Sequence, residues 1–425
     1  MRSAYVSAGL LALCGCATRP DPPPKKPPTD VEIGATILPV AAASDPLQTG
    51  CDAGDLAVCA DLALALETGK GRTRDQERAR ELYERACSAD IARGCAGLGV
   101  SLLYGRGGAR DRSRAVRTLE ESCQKGANRG CTHLGVALRE GWGVTMDRPR
   151  AGSLLEQMCN QREGEACTAL GAMVHGGQLG ESDLQRAFEL YDKGCKIGDW
   201  VGCTYVASAF LDGLGVSKNE KRALELYRRA ADAGEPWGHV GLGIVFAYGR
   251  GAPTDGPAGL RHFELACEMG IQRGCASAGQ MLQQGLAVPV DLTSAKKYFG
   301  ASCTDELGDA EGCVGLGSLL LATAANKKDS KQAVDLFKKG CDLADPYGCM
   351  YYAYELSSGA NVSKNQSDAV TYYETACLGG VAAACTHGGL VARSINNAFK
   401  AQRLFRLGCD RGDAEGCREL AAQQP

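Results

Sequence analysis

The chain has 425 residues and a formal net charge of −3, with 47 Lys and Arg against 50 Asp and Glu and a pI near 6.1. That balance excludes a general electrostatic grip on nucleic acid, which needs a concentrated basic face. Gly (56) is abundant and aromatics make up only 6%, a composition that suits closely packed helices better than one large core. No apolar run reaches 18 residues, so a spanning helix is excluded. The 22 cysteines point to export, because thiols stay reduced in a cytosol. C-x-x-C spacing is absent and His totals five, so neither a metal site nor a cofactor is expected.

Met1-Arg2 gives a positive start and Val6 to Cys14 a short apolar stretch, ending in Leu13-Cys14-Gly15-Cys16-Ala17. This resembles the lipobox of bacterial lipoproteins, with Leu13 three residues before Cys16 and Gly15 immediately before it. Cys14 fits less well, because cleavage before it would fall after Leu13. The resemblance implies a signal peptide over residues 1–15 and a diacylglycerol on the Cys16 thiol. Ala17 in place of aspartate implies sorting to the outer membrane, facing the periplasm. Arg19 to Pro28 is too proline-rich for helix or sheet and favours extended polyproline II. Residues 16–50 are therefore read as a tether and 51–425 as the folded array.

Within that array the cysteines recur. One series falls at 51, 87, 123, 159, 195, 267 and 303, in steps of 36 residues, with Ala231 in the skipped place; Cys341, Cys377 and Cys409 continue it at altered spacing. A second series follows eight residues later: Cys59, Cys95, Cys131, Cys167, Cys203, Cys275, Cys349, Cys385 and Cys417, with Cys313 two residues further from its partner. Counted from the second cysteine, position three is large and apolar (Leu98, Leu134, Leu170), position four is Gly or Ala (Gly99, Gly135, Ala207), and position seven is apolar again (Leu102, Leu138, Phe210). Spacings of three, four and seven define one helix face. Glycine at position ten (Gly69, Gly105, Gly141) suits a left-handed helix stop. Asp or Asn at position sixteen predicts a cap for a second helix: Asp75, Asp111, Asp147, Asp183, Asn219, Asp255, Asp291, Asp329 and Asn365. That helix carries Ala four residues beyond the cap and an aromatic or Leu eight beyond (Ala79 and Tyr83, Ala115 and Leu119). Helix, glycine turn, capped helix, cysteine: ten such hairpins and a final half predict an all-α solenoid.

The runs Ala92-Arg93-Gly94-Cys95-Ala96-Gly97-Leu98-Gly99 and Ala223-Leu224-Glu225-Leu226-Tyr227-Arg228-Arg229-Ala230 resemble the Sel-1-like repeat, a relative of the tetratricopeptide repeat. The doubled cysteines are similar to those of the Helicobacter-type cysteine-rich branch. The resemblance spans residues 51 to 425 and implies a right-handed α-solenoid of about ten 36-residue TPR-like units.

Residues eight apart in a continuous helix lie about 12 Å from each other, whereas a disulfide needs Cα atoms within roughly 7 Å. The chain must therefore turn between paired cysteines, and glycines such as Gly126 and Gly130 stand where it turns. Ala231 and His239 replace both members of one pair together, which favours local pairing: Cys51-Cys59, Cys87-Cys95, Cys123-Cys131, Cys159-Cys167, Cys195-Cys203, Cys267-Cys275, Cys303-Cys313, Cys341-Cys349, Cys377-Cys385 and Cys409-Cys417.

Some members of the cysteine-rich branch are credited with penicillin binding and β-lactamase activity. The resemblance thus implies an alternative function as a β-lactam hydrolase, with β-lactams or peptidoglycan fragments as ligands. S-x-x-K occurs at Ser122–Lys125 and Ser294–Lys297, and Ser-x-Asn at Ser217–Asn219 and Ser363–Asn365, but no K-T-G or K-S-G follows. Repeat register accounts for each match, since Ser122 and Lys125 flank Cys123 and the two Asn are caps. The better supported expectation is a lipid-anchored scaffold binding a protein or peptide in a groove of first helices. Positions two, five and nine after the second cysteine vary in type: His133, Tyr205, Tyr351 and His387, then Tyr354, then Tyr104, Glu140, Asp212 and Tyr248. Trp142, Trp200 and Trp237 are expected in turns.

Overall fold

A computed structural model describes residues 45–304 and 308–422; the stretch read as a signal peptide, Cys16 and most of the stretch read as a tether lie outside the described residues. Those residues form 22 helices and, among them, no strand. Ten helical hairpins run from Leu56–Thr68 with Gln76–Ser88 to Ala382–Ser394 with Ala398–Asp410, followed by a half repeat, Ala414–Ala421. A short helix over Pro46–Asp52 already precedes them, because Asp45 accepts from the Leu47 amide and Pro46 is preset for a first turn. Helix therefore begins inside the stretch read as tether. The chain divides into two compact units, up to Gly241 and from Leu242, with the division falling inside the helix Pro236–Tyr248.

Local sequence explains each hairpin. Most first helices end at glycines in the left-handed region, as at Gly105 (φ 76°) and Gly141 (φ 72°), where any Cβ would be strained. Eight of the nine expected caps accept backbone N–H bonds at the start of the second helix, from Asp75 to Asn365. The exception corrects the reading of Asp329. There Asn326 is the cap, accepting from the amides of Lys328 and Asp329, and Asp329 is a first-turn residue whose Oδ2 accepts from Asn326 Nδ2 at 3.0 Å. The first helix of this unit has no glycine stop, so its turn is short and the second helix starts earlier. Asn397 caps the last second helix, a position missed because the loop before it is also shortened.

Packing follows the small residues. A Cβ at Gly99 would stand 2.6 Å from Leu119, and one at Gly135 2.9 Å from Leu155, so the two helices of each hairpin touch through backbone and a large side chain. In the N-terminal unit Leu62, Leu102, Leu138, Leu155 and Met173 belong to one buried cluster. In the C-terminal unit Val370, Tyr373, Leu404 and Phe405 form another, and Leu282, Phe299 and Leu319 a third.

The corners between hairpins carry the sulfur. Ten disulfides join the cysteine pairs named above, with Cα–Cα distances of 4.4 to 4.7 Å. Close approach is built into the backbone, since a glycine precedes most second cysteines and leaves no room for a side chain. A Cβ at Gly130 would collide with Ser122 Oγ. At the sulfur-free corner a Cβ on Gly238 would lie 2.5 Å from the Ala231 nitrogen, so the corner keeps its shape without the bond.

A polar clasp accompanies some corners. Thr168 Oγ1 donates to Asp199 Oδ2 (2.5 Å), and Asp199 also accepts from the amides of Val201 and Gly202 at the next helix start. Thr386 and Asp413 repeat this. Thr132 occupies the same register, but its hydroxyl is buried with no hydrogen-bond partner among the described residues, and Glu163 stands where the Asp would be and makes no side-chain cap. Glu163→Asp is therefore expected to stabilise this corner by about 1 kcal/mol, supplying one cap and one acceptor. Amide exchange in Gly164–His175 should slow; unchanged protection there would count against the clasp.

Candidate binding face of the first helices

The five predicted groove residues divide between the units. In the N-terminal unit both are absorbed by packing. His133 is 3% exposed, with Nδ1 3.3 Å from the Tyr104 hydroxyl and Nε2 3.5 Å from Glu165 Oε2. Burial holds its pKa below the usual imidazole value; Glu165 opposes this, while Arg129 and Arg106 reinforce it. Tyr205 is half-buried and stacks on Tyr191, with centroids 4.5 Å apart and planes 10° from parallel. In the C-terminal unit the three remaining residues reach solvent. Tyr351 leans on Phe337 at 5.2 Å, Tyr354 is 59% exposed, and His387 is exposed and tilted against Tyr373. Of the position-nine residues, Glu140 accepts from Arg139 Nε at 2.6 Å and Tyr248 is exposed.

A charged cluster escapes sequence reasoning. Glu67, at the end of Leu56–Thr68, is 3% exposed and accepts from Tyr83 Oη at 2.7 Å, from Arg106 Nη1 at 2.6 Å and from Arg129 Nη2 at 2.8 and 2.9 Å. Burial alone would push its carboxyl up. The guanidinium groups of Arg129 and Arg106, with hydrogen bonds from Arg129 and Tyr83, overcome that and hold it at about 2. Burial and the Glu67 carboxylate together push the Tyr83 phenol up, so it stays a donor. Register gave no warning: Glu67 stands where later repeats place Leu103 and Leu211 but also Arg139 and His175, and a carboxylate buried there must find partners.

The serine candidates sit in structural roles. Ser122 is fully buried and its hydroxyl donates to the Leu119 carbonyl at 2.9 Å. Lys125 ends that helix and its ammonium is paired with Asp90. Ser294 lies in the first turn of Leu292–Ser302, its amide donating to Asp291, while Lys297 is exposed beside the Tyr298 ring. Asn219 and Asn365 cap helices. Of the tryptophans, Trp142 lies in a turn, its ring under Arg112 at 4.8 Å. Trp200 and Trp237 instead fall in the first turns of Trp200–Asp212 and Pro236–Tyr248, where Asp199 caps the first of these helices and Glu235 Oε1 accepts from the Trp237 amide at 3.4 Å. Among the described residues no three His, Cys, Asp or Glu side chains gather as metal ligands, and no helix is long and apolar enough to cross a membrane.

Capped hairpins, glycine stops and stitched corners define an all-helical repeat scaffold. The chain belongs to the Sel1 repeat family, whose model matches nine segments: 57–91, 92–126, 129–162, 164–199, 200–235, 238–271, 273–304, 311–345 and 346–381. The helices from Ala382 onward continue the same pattern. Among solved structures the chain is similar to a protective antigen of uropathogenic Escherichia coli with an SLR fold, at 20% identity and a TM-score of 0.40, covering 88% of this chain and 89% of that one. It is also similar to a Sel1 repeat protein from Oxalobacter formigenes (21%, TM-score 0.44, 72% and 88%) and to yeast Tom70 (11%, TM-score 0.46, 88% and 90%). No curated protein matches it.

Proposed function

We propose that the protein is a lipid-anchored, extracytoplasmic scaffold that binds a protein or peptide partner on its first-helix face. The observation carrying this reading is the set of aromatic side chains left exposed at first-helix positions of the C-terminal unit: Tyr248, Tyr347, Tyr351 and Tyr354. A single repeat protein core has no need to leave four tyrosines at solvent, and tyrosine is a residue type enriched at binding centres. The ten disulfides favour an oxidising compartment such as the periplasm, in keeping with the lipobox at Cys16. Crosslinking and capture from envelope extracts should recover a partner from the wild-type protein and lose it with Tyr351→Ala and Tyr354→Ala together. Equal recovery from both would place the partner elsewhere. Tyr205→Ala is a poorer probe, because the Tyr205 ring also packs on Tyr191.

Anchoring has its own test. Cys16→Ser is expected to abolish incorporation of labelled fatty acid and to release the protein from membranes into the soluble periplasmic fraction, since stable attachment depends on the acyl chains. Continued membrane fractionation with no label would remove the anchor from this proposal while leaving the binding reading intact.

A further inference from the structure

The residue two before the second cysteine occupies one register on successive first helices, so these side chains form a row. In the N-terminal unit the cations of the row are charge-matched locally: Arg93 meets Asp61 at 3.3 Å and Arg129 meets Glu67, while Glu165 faces the His133 ring. In the C-terminal unit the row reads Arg273, Glu311, Tyr347, and the match fails. Arg273 Nη1 is 2.8 Å from Glu311 and 3.5 Å from Asp309. Asp345, the cap of the next first helix, belongs to the same cluster. Three carboxylates therefore share one guanidinium. Burial pushes the carboxyls of both Glu311 and Asp345 up; Asp309 adds to this, and the Arg273 charge opposes it only in part.

Aromatic surface borders this excess of negative charge. Tyr347, Tyr351 and Tyr354 are 36%, 38% and 59% exposed and follow i, i+4, i+7 spacing along Pro346–Ser358, so they form one stripe. Tyr248, 40% exposed, lies close enough to Glu311 that burial and the Glu311 charge both raise its phenol pKa. Tyrosine faces attract cations through their ring quadrupole, and a partly desolvated carboxylate beside them strengthens the attraction. The complementary occupant is an extended chain bearing positive charge.

We infer that this face takes a cationic segment of a partner polypeptide, an Arg or Lys side chain lying across Tyr347 and Tyr351 with its charge against Glu311. The inference rests on the binding function proposed above and narrows it to one face and one ligand chemistry. Discrimination comes from charge, since an acidic segment meets three carboxylates and pays for their repulsion.

A random-peptide display library selected on the oxidised full-length protein tests this without knowledge of the natural partner. Selected peptides are expected to be enriched in Arg and Lys over the starting library. A fluorescent copy of a selected peptide should bind roughly ten-fold more weakly to Glu311→Gln and about three-fold more weakly to Tyr351→Leu. Glu156→Gln, an exposed site in the N-terminal unit, should leave binding unchanged, and binding should fall as salt rises. Unchanged far-ultraviolet circular dichroism and melting would show that the variants fold. Selection of neutral or acidic peptides, lost on Tyr351→Ala and Tyr354→Ala, would overturn the charge preference and keep the binding function. Cationic peptides indifferent to Glu311→Gln and Tyr351→Leu would overturn the site, and failure to select any peptide would count against both.

Discussion

Reduction of the disulfides is expected to loosen every hairpin corner except the one at Ala231 and His239. Each bond closes a loop of only eight or ten residues, which in the chain-entropy model contributes about 2–3 kcal/mol of stability. Repeat arrays gain stability from each unit and from its contacts with neighbours, so the loss is local before it is global. Amide exchange in Arg112–Gln124 and Asn128–Glu140 should accelerate on the order of a hundred-fold on changing Cys123 and Cys131 together to Ala. The helices around Ala231 supply an internal comparator, because reductant has nothing to cut there. The reverse experiment is equally specific. Ala231→Cys with His239→Cys should form a bond without rearrangement, since Gly238 already brings the two backbones into contact, and should raise stability by about 2 kcal/mol. Uniform acceleration across all hairpins, the Ala231 corner included, would show that sulfur does not act corner by corner.

These corners also show which features a repeat sequence exposes. Caps, stops and the cysteine pairing depend on residues within one unit, so spacing alone places Asp75, Gly105 and Cys87 correctly. Asp329 fails because the turn before it is shortened and Asn326, three residues earlier, competes for the same amides. Side chains that look from one repeat into another are harder. His133 and Tyr205 occupy the same register as Tyr351, yet His133 is closed over by Tyr104 and Glu165, and Tyr205 stacks on Tyr191. Whether that register is open depends on the size of the residues next to it, which its own spacing does not encode. Glu67 and Arg129 lie 62 residues apart, and their meeting requires the stacking of three successive first helices. Glu67 shares its register with Leu103 and Leu211 but also with Arg139 and Gln283, so nothing within its own repeat marked it beforehand.

Glu67 carries the largest expected single-residue effect. Glu67→Gln keeps the side-chain shape but strips the partner charge from Arg129 and Arg106, whose side chains are 30% and 15% exposed. Breaking a buried pair from one side costs about 3–5 kcal/mol, and a two-charge mismatch near solvent should fall at the lower end, about 3 kcal/mol. Arg129→Met should cost a comparable amount. The two changes together should cost less than their sum, because the second removes a charge that the first left unpaired. The pH dependence follows from the sign of the shift. Folding lowers the Glu67 carboxyl from its ordinary 4.5 to about 2, so the unfolded chain takes up the proton first as pH falls. The stabilisation is fully present above pH 4.5 and is lost progressively toward pH 2. Urea midpoints for the N-terminal unit should fall across that window in the wild type, and the Glu67→Gln protein, already destabilised at pH 7, should lack that segment of the curve. Parallel acid profiles for the two proteins would mean that Glu67 titrates alike in both states, and the guanidinium groups around it would then contribute nothing to folding.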